Sequence, residues 1–245
     1  MATEPRFDTE AVFDDDYLYF YGDHLAKVTD AEAERIWRLL ELEPGMAVLD
    51  VPCGHGRIAN RIAARGCCVT GLDATPQFLD LARRDAAERG VEVTYVHGDM
   101  RALEWTEAFD RVVNWFTSFG YFPDEENRQV LAEAHRVLRP GGKLLIETQH
   151  QPVVLCEPRN WVVEQDGDWL VDHHTYEPLT GRIHTTRIVI RGDRSRTMRF
   201  FVRILGFPEL RDWLLAAGFS RVDGYGPDGE PLTADSRRML AVATR

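Results

Sequence analysis

Between residues 29 and 142 short apolar runs alternate with helix-patterned stretches, and polar residues do not interrupt the runs at every second place. Strands of that kind are buried on both faces. They need helices on both sides, and hence a parallel sheet with right-handed crossovers. The runs cover 47–51, 67–73, 91–97, 109–114 and 143–148. Thr29-Asp30-Ala31-Glu32 has the form of a capping box and predicts a helix starting there, with Ile36, Leu39 and Leu40 on its inner face, ended by Pro44-Gly45. Ile58, Ile62 and Ala63 mark the next helix, and Thr75-Pro76 starts a third that runs to Arg89-Gly90. A fourth spans 124–138 and stops before Pro140-Gly141-Gly142.

After residue 150 the texture changes. Segments 161–165, 169–176, 182–191 and 196–205 are rich in β-formers. Asp166-Gly167, Pro178-Leu179-Thr180-Gly181 and Gly192-Asp193 separate them as hairpin turns do. This predicts an antiparallel insertion of three or four strands. A helix over 208–217 and a closing hairpin from 219–224 and 238–244 complete the chain. The expected organisation is an aromatic lid segment at 1–28, a core at 29–150, the insertion on the substrate side at 151–206, and the closing helix and hairpin at 207–245.

The chain has 245 residues, 44% apolar and 28% charged, which excludes wholesale disorder and suffices for a core without disulfide or metal staples. With 29 basic against 40 acidic residues the net charge is −11, so phosphate backbones and anionic membrane surfaces are repelled; neither nucleic acid nor membrane is expected as a partner. Cys53, Cys67, Cys68 and Cys156 lack disulfide or metal-ligand spacing, so free thiols in a reducing cytosol and no metal are expected. Residues 1–10 carry no apolar leader, and no run approaches the length of a membrane span, so a cytoplasmic location is expected.

Gly54-His55-Gly56-Arg57-Ile58-Ala59 fits G-x-G-x-x-[GA] between the first run and the second helix. Glycines there let the backbone approach a ligand, and a helix start offers free N–H groups. Alone, the turn is compatible with nicotinamide, flavin or adenosyl cofactors. Neighbouring acids narrow the choice. Asp50, at the end of the first run, would repel a pyrophosphate; it suits a phosphate-free cofactor with a cationic end. Asp73 ends the second run, where an acid accepts ribose hydroxyls. Asp99 follows the third run in His97-Gly98-Asp99-Met100, placed to accept an exocyclic amine while Met100 packs on the ring.

Taken with Val48-Leu49-Asp50-Val51-Pro52-Cys53-Gly54-His55-Gly56, Gly71-Leu72-Asp73, Phe109-Asp110-Arg111-Val112-Val113 and Leu138-Arg139-Pro140-Gly141-Gly142-Lys143, the chain resembles the class I S-adenosylmethionine-dependent methyltransferases. The resemblance implies a Rossmann-like α/β methyltransferase fold: a seven-stranded, mostly parallel sheet with helices on both faces and the last strand antiparallel. It implies S-adenosylmethionine as cofactor and S-adenosylhomocysteine as product. The implied cofactor site is Asp50, Pro52, Cys53, Gly54, Gly56, Asp73, Ala74, Asp99 and Met100, with Asn114 and Trp115 beside the methionine portion. Pro52 departs from the pattern, which more often has Gly or Ala there, but that position offers mainly its carbonyl. The layout around the insertion is similar to glycine N-methyltransferase-like and amino-sugar N-methyltransferases. That implies a small-molecule acceptor methylated on oxygen or nitrogen. A descendant that binds the cofactor without methylating remains open, whereas Asp50 and Asp99 oppose a nicotinamide-dependent oxidoreductase.

Ligands of open α/β sheets bind outside the carboxyl ends of the strands. His150, just past the fifth run, is the first candidate for a general base. His173 and His174 are weaker candidates, because alternation sends one to each face, and His55 is expected to order the glycine turn. The aromatic stretch from Asp14 to His24 is expected to fold over the cofactor, Tyr17 and Tyr21 contacting the methionine carboxylate or a cationic substrate. Phe119 and Phe122 are expected in the core. Arginines 182, 187, 191, 194, 196, 199 and 203 crowd the insertion; a solvated edge is the ordinary reading, an anionic substrate group or a second copy in a homodimer the sharper one.

Overall fold

A computed structural model describes residues 12–156 and 160–245; the stretch 1–10, in which no apolar leader is expected, lies outside the described residues. The elements are α1 (Asp15–Leu39), β1 (Ala47–Asp50), α2 (Arg57–Ala63), β2 (Cys68–Asp73), α3 (Pro76–Arg89), β3 (Val93–His97), β4 (Phe109–Asn114), α4 (Asp124–Val137), β5 (Leu138–Gln149) and α5 (Gln151–Cys156). They continue with β6 (Trp161–Gln165), β7 (Asp168–Glu177), β8 (Arg182–Arg191), β9 (Arg194–Arg203), α6 (Phe207–Ala216), β10 (Arg221–Tyr225) and β11 (Arg238–Thr244).

One sheet has seven strands in the order β10-β11-β5-β4-β1-β2-β3. Only β11 runs against its neighbours, pairing antiparallel with both β5 and β10. Successive residues of its strands feed opposite cores, as a sheet covered on both faces requires. Val48, Val113 and Leu145 pack with Ile36 of α1 and Ile58 and Ile62 of α2. Leu49, Val112 and Leu144 pack with Leu131 of α4 and Leu214 of α6. The expected fold class is therefore what the chain adopts. No described helix is long and apolar enough to cross a membrane.

The insertion is a second sheet, β6-β7-β8-β9, antiparallel throughout. It shares no strand with the first. Its return strand is docked where Arg203 N–H donates to the Gly120 carbonyl at 2.7 Å; a Cβ on Gly120 would lie 2.5 Å from the Arg203 oxygen, so glycine is required there.

Three sequence expectations change. The first helix does not start at Thr29: α1 runs unbroken through it, and the boundary expected between lid and core falls inside a helix. Asp14 caps α1 instead, its Oδ1 accepting from the N–H groups of Asp16 (3.0 Å) and Tyr17 (3.2 Å). Thr29 donates its hydroxyl back to the Leu25 carbonyl at 2.6 Å, and buried Leu25, Ala33 and Ile36 form one apolar stripe across it. β5 begins at Leu138, before the glycine pair, and α5 had no signal in the sequence. The insertion's arginines are not simply solvated. Arg187 is buried in a two-pronged pair with Asp172, and Arg203 reaches Asp124 and Glu209. Arg191 and Arg196 reach Asp14 and Asp16, clamping the first turn of α1 to the inserted sheet.

Candidate active site

Two cavities open at the carboxyl ends of the parallel strands. The smaller, about 490 Å³, is walled by the turn after β1, the ends of β2 and β3, and rings from α1 and the loop after β4. Asp50, Pro52, Cys53, Gly54, Asp73, Ala74, Asp99, Met100, Trp115 and Tyr17 all line it.

The glycines divide their work. Gly54 has φ +55 and lines the cavity, where a Cβ would meet only the Phe78 ring at 4.0 Å, so its bare backbone is available to a ligand. Gly56 has φ +78 and faces away: a Cβ there would meet Ala82 of α3 and the Tyr95 hydroxyl. It allows α2 to pack closely and does not line the cavity.

Asp50 is 2% exposed, and its Oδ2 has no hydrogen-bond partner among the described residues. Burial pushes its carboxyl up to about 7, against the opposing pull of the Arg57 guanidinium. Arg57 lines the same cavity; its Nη1 donates to Thr29 Oγ1 at 3.3 Å and to Glu32, while Nη2 is buried without a hydrogen-bond partner among the described residues. Thus an unanswered acceptor and an unanswered donor, of opposite charge, border one space. The indole N–H of Trp115 is a third such group, buried without a hydrogen-bond partner among the described residues. Asp73 accepts from Gly54 N–H at 2.7 Å and Thr75 N–H at 2.8 Å, which fixes its carboxylate at the cavity edge. Burial raises its pKa, those backbone donors opposing.

Asp99 is engaged differently from its expected role. Both its oxygens accept from the Arg101 guanidinium, which lowers its pKa and lies 4.3 Å from the Phe122 ring centre. Phe122 is therefore a cavity wall, whereas Phe119 is core as expected. His55 lines the cavity against Phe78, and burial lowers its pKa to about 4, leaving it neutral.

The larger cavity, about 1170 Å³, lies between α1 and the inserted sheet. Phe13, Tyr17, Trp115, Phe116 and Tyr121 line both cavities and form their common wall. Phe116 and Thr117 both have positive φ, +64 and +55, a strained pair of non-glycine residues. Glu147 holds them: its carbonyl and side chain accept from Thr117 N–H at 3.1 Å each, while Arg238 binds both Glu147 and the Thr117 hydroxyl.

Comparison with known proteins accords with this geometry. A methyltransferase-domain family model matches residues 48–142. A ubiquinone/menaquinone biosynthesis C-methyltransferase of Paracoccus denitrificans is 31% identical over 204 residues, covering 77% of this chain and 74% of that protein. A ubiquinone biosynthesis O-methyltransferase of Pseudomonas putida is 35% identical, covering 77% and 71%. The chain belongs to the class I S-adenosylmethionine-dependent methyltransferases. Among solved structures, an S-adenosylmethionine-dependent methyltransferase from Clostridium acetobutylicum shares the fold with TM-score 0.78 at 13% identity, covering 94% of this chain and 97% of that one. An amino pentose methyltransferase from Micromonospora echinaspora, solved with S-adenosylmethionine, gives 0.66 at 25% identity, covering 89% of each.

The methyltransferase's smaller cavity fits this cofactor. The free Asp50 oxygen suits its ammonium, the free Arg57 nitrogen its carboxylate, and Asp73 its ribose hydroxyls. Four residues expected at the methyltransferase's site stand elsewhere. Gly56 packs helices. Asn114 donates to the Val51 carbonyl at 2.8 Å, tying β4 to the turn after β1 rather than facing the cavity. Tyr21 lies one helical turn beyond Tyr17 and lines only the larger cavity. His150 is 4% exposed and lines neither; its Nδ1 donates to the Ser236 carbonyl at 2.7 Å, and its own carbonyl starts α5. Arg57, Arg101 and Phe78 were missed. Arg57 had a faint signal, a cation beside the glycine turn; Arg101 and Phe78 had none until the fold brought them together.

Proposed function

We propose that the chain transfers a methyl group to an oxygen or nitrogen atom of a small molecule held in the larger cavity. One observation carries this reading: the cofactor cavity and a separate, mostly apolar cavity share a wall of five aromatic residues. Such a wall lets two ligands meet end to end while rings exclude water. When bound, the cofactor supplies an electrophilic methyl carbon on a sulfonium sulfur. Asp50 and Arg57 would hold its methionine end and Asp73 its ribose, and the Glu147–Arg238 pair keeps the backbone beside Trp115 and Phe116 in place at the junction. Tyr17 stays a neutral phenol, because burial pushes it up to about 12, so it offers a donor and a ring face but no base.

The cavity's size favours an acceptor of drug-like dimensions over an amino acid. A 25% identical neighbour is described as an amino pentose methyltransferase, which supports nitrogen on a sugar as one acceptor; curated relatives are named for oxygen and carbon methylation of quinone precursors. The test is incubation of the purified protein with ¹³C-methyl S-adenosylmethionine and a small-molecule cell extract. The expected result is a product heavier by one labelled methyl, whose carbon shift distinguishes oxygen, nitrogen and carbon attachment. Tight S-adenosylhomocysteine binding with no labelled product would overturn methyl transfer in favour of a cofactor-binding, non-methylating protein.

A further inference from the structure

The larger cavity is lined by several ionisable groups, and most are already committed. Asp172 is held by Arg187 at 2.8 and 2.7 Å. Glu147 is held by Arg238 and Thr117, and Glu32 by Arg57. Burial keeps Tyr17, Tyr21 and Tyr121 protonated. His24 stands exposed on α1 at the cavity's outer side.

His174 differs from all of these. It sits on β7 opposite Thr185 of β8, two rungs from the Asp172–Arg187 pair and so on the same sheet face, which lines the cavity. Its Nδ1 is 2.8 Å from Thr185 Oγ1, and Thr185 is buried. Its Nε2 makes no hydrogen bond among the described residues. On the same rung Phe200 of β9 enters this cavity, and the next residue, Phe201, reaches the cofactor cavity.

We infer that His174 is the group that takes the proton from the acceptor's reacting hydroxyl or ammonium, an assignment that rests on the methyl transfer proposed above. On this assignment Thr185 Oγ1 accepts the Nδ1–H, which leaves the lone pair on Nε2. As the acceptor's lone pair forms the new bond to the methyl carbon, the pair of the breaking carbon–sulfur bond stays on sulfur. A hydroxyl's proton passes to Nε2 as the new bond forms; an ammonium's proton passes to Nε2 first, because only the neutral amine carries the attacking lone pair. Burial holds the His174 pKa below its ordinary 6.5, with Asp172 opposing and Arg187 and His173 reinforcing; Lys27, Glu32 and Arg35 of α1 and Glu164 of β6 line the same cavity. The imidazole is thus neutral and ready at physiological pH.

The test has two arms. Long-range ¹H–¹⁵N spectra of the S-adenosylhomocysteine complex should show His174 as the Nδ1–H tautomer, and diethyl pyrocarbonate should label His174 faster than the enclosed His150. With the acceptor identified by the labelled-methyl experiment, His174→Ala and His174→Gln should lower kcat by about a hundred- to ten-thousandfold. S-adenosylhomocysteine affinity should not change. Wild-type kcat/KM should rise with pH through the His174 titration, and both variants should lose that limb. An Nε2–H tautomer, or a loss under about tenfold with the limb intact, overturns the assignment. If no acceptor is methylated, the proposed function fails, and the tautomer and labelling results still decide whether Nε2 is an open lone pair.

Discussion

The two cavities meet at Tyr17 and Trp115 yet are built by opposite rules. The cofactor cavity is assembled by loops at successive strand ends, so its chemistry depends on backbone N–H groups, a bare glycine and carboxylates fixed by the fold. The larger cavity is assembled by side chains on one face of the inserted sheet and one face of α1. The first kind of site tolerates little change, since its donors are the main chain. The second changes its character with each residue on the face. A fold that combines the two keeps one cofactor and varies its acceptors.

The separation can be broken at several points. The largest expected effect is on the buried Asp172–Arg187 pair. Arg187→Met should cost about 3–5 kcal/mol of stability by stranding a buried carboxylate, and Asp172→Leu with Arg187→Met together should recover most of it. Urea unfolding checks both; if the double variant loses cofactor affinity, the two sites are not independent. Next, Asp73→Ala should cost about 1.5–3 kcal/mol of S-adenosylhomocysteine binding, about ten- to a hundredfold by calorimetry. Unchanged affinity would remove Asp73 from the cofactor site.

A smaller effect concerns pH. Asp50 in the free protein titrates at about 7, and an ammonium beside it favours the charged form. Affinity for S-adenosylhomocysteine should therefore fall as pH drops through 7, by about tenfold per unit below it, and Asp50→Asn should flatten the profile. A wild-type affinity independent of pH from about 5.5 to about 8 would contradict the placement. The smallest effect belongs to His150→Ala: about 1 kcal/mol of stability from the lost bond to Ser236, with cofactor affinity and turnover unchanged.

The sequence made the cofactor half legible because its chemistry is local. Asp50, Gly54, Asp73 and Met100 lie at the ends of runs whose period already marks them as strands. Failures came where a side chain's direction depends on a distant partner. Asn114 ends β4 as expected, but the Val51 carbonyl turns its amide toward the neighbouring strand. Tyr21 shares a helix face with Tyr17, and one turn of rise carries it into the other cavity. Alternation along β7 separates His173 from His174, but which of the two faces inward depends on the register with β8, which no local pattern fixes. His150 follows a strand end, yet the segment before β11 covers it.

The inserted sheet shares no strand with the parallel one. Its hairpins can lengthen, shorten or change residues without disturbing a single hydrogen bond of the cofactor-bearing sheet, so it behaves as an exchangeable cassette. It is not exchangeable alone, however. Arg191 and Arg196 grip Asp14 and Asp16 at the start of α1, and Tyr19 donates its hydroxyl to the Gln165 carbonyl at 3.0 Å. The front half of α1 and the four hairpin strands therefore form one inheritable unit, split across the chain by the whole cofactor half. A lineage that acquires a new acceptor must change the two ends of this unit in step, and a chimera that moves only one of them inherits mismatched charges where the start of α1 meets the inserted sheet.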